Sequence, residues 1–334
     1  MRRQNERSSS IVERAATSRV EVHPRRNRIV RIPTNIAFGL SGVSLLLLAG
    51  CNLSPSSDPP PPSDPLTQGY AEDVCSSCAG WNEPHAPFQI FGNSYYVGTE
   101  GLASILITSS AGHVLIDGGL PDSAPLIEEN IGVLGFDIAD VEIILNSHAH
   151  FDHSGGIAAL QRASGARVVA SVPSAAEIRR GSSGPEDPQY GLLFDYPPVS
   201  TLEELTFGEA ITLGDLSLTP HSTPAHTSGG TTWSWRVCEA EECLNLVYAD
   251  SQTPISADGY RFTDSSDLAS FERGYEVLEN LPCDVLITPH PSASAFWERR
   301  EGPQGLVAPG ACRRYAASAR EMLARRLALE QGRE

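Results

Sequence analysis

The stretch "NSHAHFDHSGG", residues 146–156, places His148, His150, Asp152 and His153 within six positions, using three of the nine histidines in a chain of 334 residues. It follows the apolar run "VEIIL", which has the length and β-branched content of a buried strand. In extended backbone, residues i and i+2 point to one side, so His148 and His150 can converge on one point beyond the strand's carboxyl end. Asp152 and His153 come after the chain has begun to turn and address a second, neighbouring point. Neutral imidazole together with carboxylate favours zinc over iron or manganese. A merely solvated polar loop is the competing reading, and four potential ligands in six residues at the mouth of a sheet outweigh it.

A zinc pair needs more ligands. His226 in "STPAHTSGGTTW" and His290 in "LITPHPSAS" each end a strand-like run beside Pro and Gly turns. His221, five residues earlier, competes with His226; together with His85 and His113, which lack a partnering pattern, it is assigned a structural or solvated role. The allocation is His148, His150 and His226 for one zinc and Asp152, His153 and His290 for the other. Three protein ligands per ion leave open positions, as catalytic sites require. Zinc lowers the pKa of bound water from 15.7 to about 7, so a hydroxide nucleophile exists at neutral pH without a basic side chain.

The elements that must position these residues alternate. Strand-like "SYYVG" and "ASILITS" lead through a turn into "HVLIDGG"; a helical stretch "SAPLIEENIGVLG" precedes "VEIILNS", and "GGIAALQRASG" reads as helix before the strand "ARVVASV". The second half runs "ITLGDLSLTPHST" as strands, "TTWSWRV" and "LNLVYADS" as a hairpin, "DLASFERGYEVLEN" as helix, "CDVLITPH" as strand and "CRRYAASAREMLARRLALEQ" as a terminal helix. Two packed β-sheets with helices on both outer faces accommodate that order.

Composition sets the compartment and the partners. The 24 basic residues are all Arg, against 41 acidic ones, giving a net charge of −17. Nucleic acid is excluded as a partner because phosphate binding rests on clustered positive charge. Arginines 25, 26, 28 and 31 precede the apolar run "IAFGLSGVSLLLLAG", which is shorter than the ~20 residues a bilayer span needs and reads as a signal peptide over residues 1–50. It ends in "LLAGC", which resembles a bacterial lipobox, so Cys51 is the expected lipid-bearing residue and the protein is expected in the periplasm, held to the membrane only through that lipid. Removing residues 1–50 takes away nine Arg and three Glu and leaves a net charge of −23. Residues 51–69, rich in Pro, Ser and Asp, read as a solvated tether before a folded domain over 70–334. Six cysteines remain after Cys51, and in an exported chain an even number points to disulfides.

"HAHFDH", "TPAHTSGGTTW", "YADS" and "CDVLITPHPSAS", with "FGNSYYVG" and "HVLIDGG" upstream, resemble the metallo-β-lactamases of subclass B3 over roughly residues 80–325. The H-x-H-x-D-H element alone is shared by the whole αββα hydrolase superfamily; its combination with "YADS" and "TPHPSAS" is more specific. The resemblance implies an αββα sandwich with two zinc ions in the groove between its halves and the same six ligands. It implies a small β-lactam as substrate, attacked by zinc-generated hydroxide that Asp152 helps orient, in a chain expected to be monomeric. It places Ser251 and Thr253 at positions that hydrogen-bond the substrate carboxylate. Because adjacent strand residues face opposite ways, Ser251 is expected to face the metals and Asp250 to turn away. Without lysine, the S-x-x-K and K-T-G motifs of serine β-lactamases cannot be written in this chain, nor can a lysine clamp the carboxylate. Some family members pair an N-terminal Cys with one at the "VGT" turn, where Glu100 stands here, which leaves Cys75 and Cys78 to pair with each other. The remaining bridges are expected between Cys238 and Cys243, across the turn "EAEE", and between Cys283 and Cys312. The alternatives are a lactone or thioester hydrolase of the same superfamily, with Asp250 as a metal-bridging carboxylate, and a non-catalytic zinc-binding lipoprotein.

Overall fold

Alternating apolar positions build two sheets in the residues that this computed structural model describes, 64–265 and 268–332. The first sheet runs, in order, β1 (Phe88–Phe91), β2 (Ser94–Tyr96), β3 (Ile105–Ser109), β4 (Gly112–Ile116), β5 (Val141–Leu145), β6 (Arg167–Ala170) and β7 (Glu203–Glu204). The first four strands form an antiparallel meander, and β4 to β7 are parallel. In the second sheet β8 (Ile211–Leu213), β9 (Leu216–Ser222), β10 (Thr231–Glu239) and β11 (Glu242–Tyr248) are antiparallel neighbours, with β12 (Val285–Ile287) parallel to β11 at the edge.

The period of two divides each strand between two cores. Ile105, Ile107, Val114, Ile116, Ile143 and Leu145 meet Trp233, Trp235, Leu246 and Tyr248 between the sheets. Leu106, Leu115 and Ile144 point the other way, under helices α1 (Ala124–Val133), α2 (Ile157–Ser164) and α3 (Val172–Arg180). Val247 and Leu286 do the same beneath α4 (Leu268–Asn280) and α5 (Ala311–Glu330). This is the expected αββα sandwich.

Two segments differ from the sequence reading. Helix α3 is not anticipated there, because Pro173 follows a run of β-branched residues; in the structure that Pro sits in the first turn, where its missing N–H costs nothing, and the Ser171 side chain caps the helix by accepting from Ser174 N. Residues 64–68, read as tether, carry a single 3-10 turn, Pro65–Thr67, capped by Asp64, with Leu66 packed on the outer core and Asp64 paired with Arg162. The signal segment, Cys51 and the tether up to residue 63 lie outside the described residues.

In the structure Cys75 is joined to Cys78, Cys238 to Cys243 and Cys283 to Cys312. Cys238 and Cys243 are directly opposite in the β10–β11 hairpin. Close backbone approach at glycines fixes the loop ends. A Cβ on Gly156 would lie 2.2 Å from the Gly118 carbonyl oxygen, and one on Gly118 would lie 2.8 Å from Ile157 N. The "DGG" and "SGG" glycines thus let the backbone after β4 touch the start of α2, which holds the histidine loop down on the sheet.

Candidate metal centre

The loop after β5 is fixed from behind. Asp117, at the end of β4 with φ of 59°, accepts from Ser147 N at 2.7 Å, from Ser147 Oγ at 2.6 Å and from Tyr248 OH at 2.8 Å. Asn146 Nδ2 donates to the His148 carbonyl at 2.8 Å, while the Asn146 carbonyl accepts from Trp233 Nε1 at 3.0 Å. Both sheets therefore grip residues 146–148. His150 stands at the N-terminal boundary of the one-turn helix Phe151–Ser154, its carbonyl accepting from Ser154 N at 2.8 Å, and that turn carries Asp152 and His153.

Two triplets result. His148, His150 and His226 bring one ligand atom each within 4.8 Å of one another, and so do Asp152, His153 and His290. The groups adjoin, with the His148 and His153 ring centres 4.4 Å apart. Asp152 Oδ2 lies 3.3 Å from His153 Nε2 and 3.1 Å from His290 Nε2.

Partners behind the rings select which nitrogen faces inward. His148 Nδ1 donates to Asp250 Oδ1 at 2.7 Å, both side chains fully buried, and His148 Nε2 is left buried with no partner. His150 Nε2 donates to Asp187 Oδ2 at 2.8 Å, leaving Nδ1 for the centre. His226 Nδ1 donates to the Thr253 carbonyl at 2.9 Å, and His290 Nδ1 to the Gly101 carbonyl at 3.2 Å. Such back bonds fix tautomer and orientation in metal sites. Burial holds His148, His153 and His226 well below the ordinary imidazole range, so they are neutral donors. It acts the same way on His150, but Asp187 outweighs it and raises that group. Burial would raise Asp152, yet the adjacent His153 and His290 prevail and hold it well below the usual carboxylate range. An orphaned imidazole nitrogen, the neutral rings of His148, His153 and His226 and an ionised Asp152 carboxylate fit borderline-soft cations.

Both triplets adjoin a cleft of about 390 Å³ lined by Trp81, Leu193 and Ile255 together with Ser251 and Thr253. The Thr253 hydroxyl is 3.0 Å from His226 Nδ1.

A profile for the metallo-beta-lactamase superfamily matches residues 97–237. The solved structure of the Rm3 metallo-beta-lactamase is 51% identical, with a TM-score of 0.75 over 77% of this chain and 99% of that one. MEM-A1, a subclass B3 metallo-beta-lactamase isolated from a soil metagenome library, is 43% identical, with a TM-score of 0.73 over 76% of this chain and 100% of its own. The chain belongs to the subclass B3 metallo-β-lactamases. A hydroxyacylglutathione hydrolase from Anaeromyxobacter dehalogenans (strain 2CP-C) is 31% identical over 130 residues, and the match spans 40% of that protein's length.

Within this B3 enzyme, every residue named from sequence as a ligand or substrate contact borders the same cleft or the cluster beneath it. His85, His113 and His221 stand apart: His85 stacks on Trp297, His113 meets the edge of Phe136, and His221 Nε2 is 2.7 Å from Ser234 Oγ. Sequence reasoning missed Asp187 and Gln189, from the loop "EDPQYG". Asp187 orients His150 and accepts from Gln189 N at 2.7 Å; Gln189 Nε2 lies 3.1 Å from His226 Nε2 at the cleft surface. The one usable signal was "DPQ", an Asx-turn pattern beside Pro.

Proposed function

We propose that the protein opens the β-lactam ring by hydrolysis with two zinc ions, one held by His148, His150 and His226 and the other by Asp152, His153 and His290. The observation that carries this over a bridging-carboxylate hydrolase is Asp250: its Oδ1 accepts from His148 Nδ1, the side of that ring turned away from the centre, and Asp250 belongs to neither triplet. Zinc bound there supplies Lewis acidity and hydroxide at neutral pH. The chain's own groups do the rest. Asp250, Asp187 and the carbonyls of Thr253 and Gly101 keep the four rings aimed; ionised Asp152 accepts a proton or hydrogen bond at the centre; Ser251 and Thr253 offer hydroxyls to the substrate carboxylate; Trp81, Leu193 and Ile255 exclude water from the bound ring. A preorganised, partly dry site makes each of these interactions worth more than it would be in water.

The test is a turnover panel of penicillins, cephalosporins, carbapenems, a lactone and a glutathione thioester with zinc-loaded protein. Hydrolysis of β-lactams, lost to a chelator, restored by zinc and indifferent to clavulanate-type serine inhibitors, is the expected pattern. Because His148 supplies a ligand, His148→Ala should cost orders of magnitude in turnover rather than a few-fold. Turnover confined to the thioester, or surviving removal of metal, would defeat the assignment.

A further inference from the structure

Building on the β-lactamase reading, we infer that Gly101 is a positioning residue whose missing side chain seats Trp81 as the fixed wall of the cleft over His290, so that the segment before β1 sets substrate affinity. Trp81 ends the one-turn helix Cys78–Trp81, directly after the buried Cys75–Cys78 bridge. Its ring centre lies 5.1 Å from that of His290, and it lines the cleft. The Trp81 carbonyl accepts twice from the 99–101 turn, from Thr99 Oγ1 at 2.7 Å and from Gly101 N at 3.1 Å. The Gly101 carbonyl in turn accepts from His290 Nδ1 at 3.2 Å. One residue thus touches both a ligand ring and the wall above it.

Space, not conformation, requires glycine here. Gly101 is absent from the positions with positive φ, yet a Cβ on it would lie 2.6 Å from Trp81 Cα, 3.0 Å from Trp81 Cδ1 and 3.1 Å from Trp81 O. The turn itself has little room to retreat. Thr99 and Leu102 are buried, Glu100 N donates to the Glu83 carbonyl at 2.8 Å, and the Glu100 carbonyl accepts from Trp297 Nε1 at 3.0 Å. Trp81 faces an open cleft instead, so an added methyl group displaces the wall into the volume that substrate occupies. His290 keeps its acceptor, because the carbonyl remains.

The experiment compares full-length, zinc-loaded wild type with Gly101→Ala, each also in a Trp81→Ala background, on one cephalosporin. Gly101→Ala should raise KM about fivefold or more with kcat within about twofold, the signature of lost ground-state and transition-state binding alike. Zinc content should equal that of wild type. With Trp81 already removed, the same substitution should leave KM unchanged, an outcome that a general structural defect at residue 101 would not give. A wild-type KM in Gly101→Ala, loss of zinc, or an undiminished KM effect in the Trp81→Ala background overturns the inference. Should Gly101→Ala fail to fold, Thr99→Val, which removes the hydroxyl that donates to Trp81 O at 2.7 Å and lies 3.4 Å from Leu102 O, is expected to move KM in the same direction through the same dependence on Trp81. A wild type with no β-lactam turnover would defeat the functional reading alone. Acrylamide quenching of tryptophan fluorescence then decides the inference without substrate: Gly101→Ala must raise the accessible fraction, and the rise must vanish with Trp81.

Discussion

Asp250 and Ser251 are neighbours with opposite duties. Alternation extrapolated from the "LNLVY" strand suggests that division; β11 ends at Tyr248, and just beyond it the structure puts the Asp250 carboxylate behind His148 and Ser251 on the cleft. Asp250→Asn keeps an oxygen acceptor for His148 Nδ1; zinc affinity should fall by about 10- to 100-fold, as when other outer partners are changed, while metal analysis at saturation still finds two ions per chain. A folded variant unable to bind the second ion would favour a bridging carboxylate. Ser251→Ala should retain both ions and weaken β-lactam binding or turnover by one hydrogen bond, ~0.5 to 1.5 kcal/mol. Glu177 was not readable at all. It lies in α3, 3% exposed, with Oε2 unpartnered, and burial followed by the nearby Asp187 charge pushes its carboxyl from 4.5 up to about 7. The folded state therefore holds a proton that the unfolded chain releases, so wild type loses stability as pH rises from about 4.5 to 7 and the loss is then complete. Glu177→Gln lacks that slope. In chelated protein, where no ion adds its own charge, urea melts at pH 5 and 8 should show the variant gaining on wild type by on the order of 3 kcal/mol at most. Equal slopes would mean Glu177 stays ionised.

Strands were legible by two different signals. "TTWSWRV" shows a period of two, whereas "VEIIL" reads as a nearly continuous apolar run because the sheet lies between two cores that bury both its faces; the Pro and Gly turns after β9 and β12 mark where His226 and His290 emerge. Helix α3 escaped because the proline that opens it was indistinguishable from one that ends a strand, and Asp187 and Gln189 escaped with it, since they reach the centre from an irregular loop whose contacts no periodicity encodes. The bridges tie elements that the sequence did reveal. Peptide mapping under non-reducing conditions should find Cys238 joined to Cys243, Cys283 to Cys312 and Cys75 to Cys78; free thiols at these positions would overturn the pairing. Cys283–Cys312 closes the longest loop, 29 residues, and clamps the approach to β12 against α5. Its removal should cost ~3 to 4 kcal/mol if chain entropy dominates.

For the whole molecule, the acidic charge goes with the export signal proposed for residues 1–50. A chain at −17, rising to −23 without its first 50 residues, repels polyanions and itself, which keeps it dispersed and argues for a small diffusing substrate rather than a phosphate backbone. The lipid anchor proposed at Cys51 is tested by mass spectrometry of detergent-extracted protein, which should show an acylated Cys51 at the new amino terminus. Recovery solely as an unmodified water-soluble species would remove the anchor and leave the enzyme reading intact, since the metal cluster and cleft are built from residues 81–315.

Each triplet draws two residues from the first sheet's half of the chain and one from the second's: His226 completes His148 and His150, and His290 completes Asp152 and His153. Neither half owns a finished site. The two zinc ions proposed here would then be rivets between two layers as well as reagents, and by mass action their free concentration would set how tightly the layers stay docked. Zinc scarcity in the surroundings would be felt first as a loosening of the seam between the sheets and a shorter lifetime against proteases, even in a molecule whose chemistry was not being called upon.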